Sequence, residues 1–347
     1  MPNPQVSVII PTKNSPKKKY SVTVSMISYN DEPILEDCLK SIRNQNYDQG
    51  LVNIIIVDGG STDRTLKIAK EYGATTISRP DLKKQPNLRS EIAITKPQTD
   101  LILFLSADNR LQESDALASM VETFDDEEIV ACETLRYGYR KTDPILSRYF
   151  ALIGGADPIA VGLGKADRGP YDNNGVWHSF GTAWDCGEFY KVKFEPDVSK
   201  IPTLGGNGFL IRRKFADKME YKEDGAHIDM CVGLIRKGYD TFAFVKNRHI
   251  IHYIGIKAIP FIKRRLLYAD MYSSEKIKRT YSIFQKKDML RLIGMVFANI
   301  TLVLPFSRSI KGYIHVKDIA WFLHPVMCFT FTLGYSWFYI KKFLPFR

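Results

Sequence analysis

The segment Val22-Thr23-Val24-Ser25-Met26-Ile27-Ser28-Tyr29-Asn30 decides the fold, because a β-branched run ends in a polar turn and passes straight into a helical pattern. Ile34, Leu35, Cys38, Leu39 and Ile42 recur at helical spacing behind an acidic first turn. Asn53-Ile54-Ile55-Ile56-Val57 follows as a short apolar run, the pattern of a strand buried on both faces. Ser61 or Thr62 is placed to cap the next helix, which should stop at Gly73. Residues 101–105 repeat the buried strand, and Leu117, Met120, Val121 and Phe124 mark a further helix. Strands and helices alternating at such short intervals imply an α/β chain with a mostly parallel sheet between layers of helices. A near copy of the opening strand lies at residues 6–14. The second copy is preferred as the pocket strand, because it alone leads directly into a helix.

In an open parallel sheet, ligands bind beyond the carboxyl ends of the strands. Three polar groups stand there: Ser28-Tyr29-Asn30, Asp58-Gly59-Gly60-Ser61-Thr62-Asp63 and Ser106-Ala107-Asp108-Asn109. A carboxylate at such a position can accept from a base or ribose, or bind a hard cation. Taken singly each is equally well a turn residue. Residues 137–210 are rich in Gly, Pro, Asp and aromatics with weak periodicity, and read as long loops that carry binding function.

The order and spacing of these groups is more specific, and it resembles family 2 glycosyltransferases of the GT-A (Rossmann-like) fold. The resemblance rests on Tyr29-Asn30, on Cys38-Leu39-Lys40-Ser41-Ile42-Arg43-Asn44-Gln45, on residues 57–63 and on residues 104–109. It implies a hexosyltransferase-type enzyme that uses a UDP- or GDP-sugar donor, inverts at the anomeric carbon and depends on Mg²⁺ or Mn²⁺. It also implies roles: Ser28, Tyr29, Asn30 and Ala107 around the nucleoside, Asp58 on the base, Arg89 on the diphosphate and Asp108 on the metal. Gly205, Gly206 and Asn207 would lie under the donor sugar, in a segment where glycine lets backbone approach a ligand. Three departures stand out, one being that the first copy of the repeated strand, with Pro11-Thr12, matches the family's opening Pro-Thr better than the second. Ser106 replaces the first Asp of the Asp-x-Asp motif, and the family's Glu-Asp-x-Asp helix start reads Ala226-His227-Ile228-Asp229. Asp229 is the candidate general base and His227 its rival, while His252 (or His249) is placed to complete the metal site.

The C-terminal quarter differs in character. Residues 257–347 hold 16 Lys and Arg against 4 Asp and Glu, a net +12 within a chain of +11, so the rest carries −1. Ile262, Leu266, Leu267 and Met271 oppose Lys263, Arg264 and Arg265 on a basic amphipathic helix suited to a membrane interface. Residues 292–306 form an uncharged run of 15, short for a full span, and 319–340 form 22 residues without Lys, Arg, Asp or Glu, so one or two membrane segments are expected at about 289–306 and 319–340. Lys341-Lys342 suit a cytoplasmic flank. The expected organisation is a cytoplasmic GT-A catalytic domain over 1–256 and a helical membrane-attachment region over 257–347.

A lipid-linked or glycan acceptor follows from that attachment, with membrane lipids as partners. Nucleic acid is excluded as a partner, because the basic residues alternate with membrane-length apolar segments. No stretch at the start reads as a signal peptide, and five scattered cysteines argue against a disulfide framework. The rival readings are a polyisoprenyl-phosphate glycosyltransferase, a nucleotidyltransferase and a catalytically silent GT-A-like membrane scaffold. The nucleotidyltransferase lacks its glycine- and basic-rich loop, since Asn30-Asp31-Glu32-Pro33 stands there.

Overall fold

A computed structural model of the chain describes residues 7–8, 18–173, 181–197, 201–219, 227–273 and 288–343. These fall into two compact units, one of Met1–Gly138 with Val176–His252, the other of Tyr139–Gly175 with Tyr253–Arg347.

The first unit opens with β1 (Ser7–Val8), β2 (Val22–Ser28), α1 (Glu32–Arg43) and β3 (Val52–Asp58). Then come α2 (Thr65–Glu71), β4 (Thr75–Ser78), α3 (Pro86–Thr95), β5 (Leu101–Phe104), β6 (Asn109–Leu111) and α4 (Ala116–Glu122). The strands β7 (Ala131–Thr134) and β8 (Tyr137–Gly138) close its first half. In the second unit, α5 (Ile145–Ile153) and α6 (Pro158–Gly162) follow. The chain returns to the first unit with β9 (Gly181–Asp185), β10 (Phe189–Phe194), β11 (Phe209–Arg212) and α7 (Arg213–Ala216). That unit ends in α8 (His227–Arg236), β12 (Thr241–Val245) and β13 (Ile250–His252).

Among the described residues the main sheet runs β1-β9-β10-β12-β7-β11-β5-β2-β3-β4. Its half from β5 to β4 is parallel throughout, while β11 and β10 run antiparallel to their neighbours. The expected α/β fold with a sheet flanked by helices is present, in a mixed sheet. Val22, Val24, Met26, Ile54, Ile56, Leu101 and Leu103 are buried at its centre, as apolar strands covered on both faces must be. α1 lays Leu35, Cys38, Leu39 and Ile42 on this core, with Glu32 and a proline in its first turn and Lys40 and Arg43 in its last. Both ends therefore complement the helix dipole.

The second copy of the repeated strand is β2, between β3 and β5 and leading into α1. Of the first copy only Ser7–Val8 is described, at the far edge beside β9. Ser61 and Thr62 do not cap α2; Ser61 bonds instead to Asp58, and the Asp63 carboxylate accepts from Thr65 N. Among the described residues, 137–210 hold two helices, three strands and the start of β11 as well as loops, because their apolar side chains are spent in short elements that carry little periodicity.

The second unit adds α9 (Ala258–Ser273), α10 (Met289–Thr301), α11 (Val303–His315) and α12 (His324–Phe343) to α5 and α6. Tyr149, Phe150, Trp321 and Phe331 form its core. The division expected at residue 256 thus falls close to Tyr253, but Tyr139–Gly175 packs with the C-terminal helices. The two expected spans are also altered. Residues 319–340 divide into a 3₁₀ turn, Ile319–Leu323, and α12, whose His324 is buried. The 289–306 segment breaks at Leu302, which takes φ 61°. No single described helix is long and apolar enough to cross a membrane; α10 and α11 qualify only as a pair bent by 80°.

Candidate active site

The site lies at the carboxyl ends of β2, β3 and β5 in the first unit. Parallel pairing sets Ser28 opposite Asp58. Asp58 is fully buried, and its two oxygens accept from Ser28 Oγ (3.0 Å), Gly60 N (2.7 Å), Ser61 N (2.8 Å) and Ser61 Oγ. Those four donors match the lone pairs of a carboxylate. Its base-binding role is therefore not displayed: the group is committed to its own turn. Asn30, in the left-handed region at φ 53°, fastens the same turn to β2, with Oδ1 accepting from Thr62 N (2.9 Å) and its N–H donating to Ser61 Oγ (2.9 Å). Tyr29 remains half-buried with the Lys83 ammonium 4.5 Å above its ring.

Arg89 reaches this clasp from α3. It is 5 % exposed and donates through Nη1 to the carbonyl of Ser28, while its Nε has no hydrogen-bond partner among the described residues. Gly59 leaves room for it, since a Cβ there would stand 2.7 Å from Arg89 Nη1 and the guanidinium would have to shift. A buried guanidinium with an unused N–H is chemically suited to an anion.

Beyond β5, the Ser106–Asn109 turn closes by Asn109 N to Ser106 O (2.9 Å) and by Ser106 N to Asn109 Oδ1 (3.1 Å). Ala107 is buried in the core, so only its backbone faces the site. β6 pairs antiparallel with β13 in a separate three-stranded sheet, and this register sets Asn109 against His252. His252 Nε2 therefore comes within 3.4 Å of Asp108 Oδ2, with both side chains partly exposed. Among the described residues no three His, Cys, Asp or Glu side chains gather as a ready metal cage. A carboxylate and an imidazole with open positions still fit a Mg²⁺- or Mn²⁺-type ion whose remaining ligands are phosphate oxygens and water. His249 is engaged elsewhere, its Nδ1 lying 2.8 Å from Glu113.

Gly205-Gly206-Asn207 precedes β11, the antiparallel neighbour of β5. Gly205 N donates to the buried Glu133 carboxylate (3.0 Å), and Asn207 Nδ2 donates to the Tyr137 hydroxyl (3.0 Å), whose ring lies 5.8 Å from that of His252. A Cβ on Gly205 would meet the His227 carbonyl at 2.9 Å, so the absent side chain is what lets the start of α8 lie against this segment. Asp229, in that first turn, is 6 % exposed. His227 is partly buried with its ring against Phe104, and desolvation drives its pKa down to about 4, leaving a neutral ring.

Asp31, Glu133 and Tyr137 belong to this constellation without having been singled out from the sequence. Asp31 carried the one usable signal, an acidic residue directly after a strand-end turn; Glu133 and Tyr137 lie in a stretch with none. Burial raises the Asp31 carboxyl to about 6, opposed by the N–H of Tyr29 and aided by the charges of Asp108 and Asp63. Its folded pKa exceeds the unfolded one, so its ionisation opposes folding, and stability falls as pH rises from about 4 to about 6. Asp31→Asn should therefore raise the thermal midpoint above pH 6, by about 1–2 kcal/mol of stability, and change little at pH 4. Equal shifts at both pH values in melts of the unliganded protein would remove electrostatics as the cause.

Comparison with known proteins agrees with this fold. The family model "Glycosyl transferase family 2" matches residues 23–219, more than half of the chain. Glycosyltransferase AglJ of Haloferax volcanii is 27 % identical over 145 residues, covering 40 % of this chain and 46 % of the relative. EpsH of Bacillus subtilis, also named as a glycosyltransferase, is 33 % identical over 118 residues, 32 % of this chain and 33 % of its own length. This chain thus spans less than half the length of either relative. In overall fold it is similar to mannosyltransferase PcManGT of Pyrobaculum calidifontis, solved with GDP-Man and Mn²⁺ (TM-score 0.55, 13 % identity, 100 % of this chain and 92 % of that one). The sheet order, the strand-end site and the family match together make this a GT-A fold, and the chain belongs to glycosyl transferase family 2.

Proposed function

We propose that the chain transfers a hexose from a UDP- or GDP-sugar to an acceptor hydroxyl on a lipid-linked glycan, with inversion, at the cytoplasmic face of a membrane. The observation that carries this reading is the approach of Asp108 and His252 to 3.4 Å at the end of β5. Asp108 and His252 are the residues that would hold a divalent cation, whose chemistry is to neutralise charge on the departing diphosphate. The fold of PcManGT and the ligands found with it, GDP-Man and Mn²⁺, support the same assignment by likeness.

The remaining roles belong to the protein's own groups. Arg89 offers its unused N–H to the diphosphate, and Tyr29 with the backbone of Ala107 borders the nucleoside. Asp58, Ser28 and Asn30 keep the two turns in register; a base reaches the Asp58 carboxylate by exchanging with the Ser28 or Ser61 bond. Gly205, Gly206 and Asn207 support the sugar from below, fixed by Glu133 and Tyr137. Asp229 takes the proton of the acceptor hydroxyl.

A panel of nucleoside diphosphates with and without Mn²⁺ tests the donor assignment. At 100 times its dissociation constant the preferred nucleotide should stabilise the protein by about 2.7 kcal/mol. A uniform absence of stabilisation across UDP, GDP, ADP, CDP and dTDP would leave a silent scaffold as the better account. Release of nucleotide from the matching sugar donor only with acceptor present would separate the transferase from a nucleotidyltransferase.

A further inference from the structure

We propose that the α10–α11 elbow seats in one leaflet of an anionic bilayer as a monotopic anchor, entering the membrane and returning without crossing it. This rests on the membrane-acceptor reading above and names the segment and the manner of attachment.

The two helices put their apolar side chains outward. Leu290 and Phe297 on α10 are 85 % and 68 % exposed; Val303, Leu304, Phe306 and Ile314 on α11 are 67 %, 63 %, 52 % and 63 % exposed. Such a continuous apolar face is far beyond the scattered exposed residues of an ordinary surface. Two polar side chains, Asn299 and Ser309, face the other way, while Thr301 and Ser307 remain exposed. Asn299 is buried and donates to Thr332 Oγ1 of α12 (2.9 Å), and Ser309 is buried with its hydroxyl on Trp321 O (2.8 Å). Thus the face that α12 does not cover is the apolar one.

Charge fits a lipid surface. Residues 292–307 contain no Lys, Arg, Asp or Glu; exposed Arg291 precedes them, and after Arg308, whose charge is paired with Asp172, come exposed Lys311 and Lys317. The apex is therefore neutral and the outer ends of both arms are basic. That pattern buries the elbow among acyl chains and leaves the cations at anionic headgroups. The break at Leu302 is also prepared for an apolar medium, since Thr301 Oγ1 donates to Ala298 O (3.0 Å) and Phe306 N donates to Leu302 O (2.9 Å).

Geometry decides against a crossing. Each arm has 13 residues and so is about 20 Å long. With an 80° bend, a symmetric elbow carries its apex only about 13 Å below its ends. The hydrocarbon core is about 30 Å thick, so the apex stays within one leaflet.

The test uses the full chain with phosphatidylcholine–phosphatidylglycerol vesicles. The double variant Phe297→Asp, Leu304→Asp should lower the vesicle-bound fraction at least about tenfold, while nucleotide binding, measured in the same samples, is unchanged. In a Cys186→Ser background, Leu290→Cys and Ile314→Cys should both react with an impermeant maleimide added outside the vesicles, and Phe306→Cys should become protected. Flotation of the double variant equal to that of the parent overturns the proposal. So does labelling of Leu290→Cys and Ile314→Cys from opposite sides, which means a crossing. A dimer without lipid that the double variant dissociates, with flotation unaltered, would make the face an interface between copies and overturn it as well. Failure of nucleotide binding in the parent protein would count instead against the transferase reading.

Discussion

Asp108→Asn is expected to reduce turnover by at least about 10³-fold and to remove the effect of Mn²⁺ on nucleoside diphosphate binding. Asparagine keeps the size of the side chain but withdraws the charge that a hard cation requires. A thousandfold loss corresponds to about 4 kcal/mol, within the several kcal/mol a divalent ion supplies to a developing phosphate charge. The turn itself should survive, since it closes through Ser106 and Asn109, with Asn109 Nδ2 only 3.2 Å from Asp108 Oδ1. His252→Ala should weaken metal-dependent binding to a smaller degree, because an imidazole is lost without a charge. Ser106→Ala should do least, because Ser106 serves the turn through its N–H and carbonyl. Calorimetric titration of nucleoside diphosphate with and without Mn²⁺ is the measurement. Metal-dependent binding that persists in Asp108→Asn would move the ion to other ligands.

Asp229→Asn is expected to lower kcat by between about 10² and 10⁴-fold with donor affinity nearly unchanged, the range a positioned general base contributes. Asp229 lies in the first turn of α8, where the helix dipole favours a carboxylate, and this turn rests against Gly205. His227, its rival from the sequence, is partly buried on Phe104, with its pKa lowered to about 4 by desolvation and Nδ1 unpartnered among the described residues. Such a ring stays neutral from pH 5 to 8 and packs 4.9 Å from the Phe104 ring, as an apolar neighbour would. His227→Phe should therefore cost less than tenfold in kcat and leave no missing limb in the pH–rate profile. Single-turnover rates with saturating donor separate chemistry from binding. Near-normal turnover in Asp229→Asn would point to an acceptor that arrives ionised, a polyisoprenyl phosphate rather than a glycan hydroxyl.

By itself the sequence determined the strand–turn–helix order of the first unit and the strand ends at which its candidate site is proposed. β2, β3 and β5 are buried on both faces and α1 on one, so their burial is written in local periodicity, and polar residues that interrupt such strands must lie at their ends. Asp108 was singled out for that reason, whereas Asp229 and the Gly205 segment rested on the family pattern alone. Tertiary structure alone decided what those groups meet. His252 joins Asp108 through the β6–β13 register, and Glu133 finds Gly205 across the β7–β11 edge; neither pairing leaves a trace in spacing. Asp58 spends its oxygens on Ser28, Gly60 and Ser61 once β2 and β3 lie side by side. The C-terminal helices show the same limit. Hydropathy summed over 319–340 cannot register that Trp321, His324 and Phe331 face a protein core while Val326, Leu333 and Trp337 face outward. An average over residues carries length and polarity, whereas which side of a helix is covered depends on the elements that fold against it.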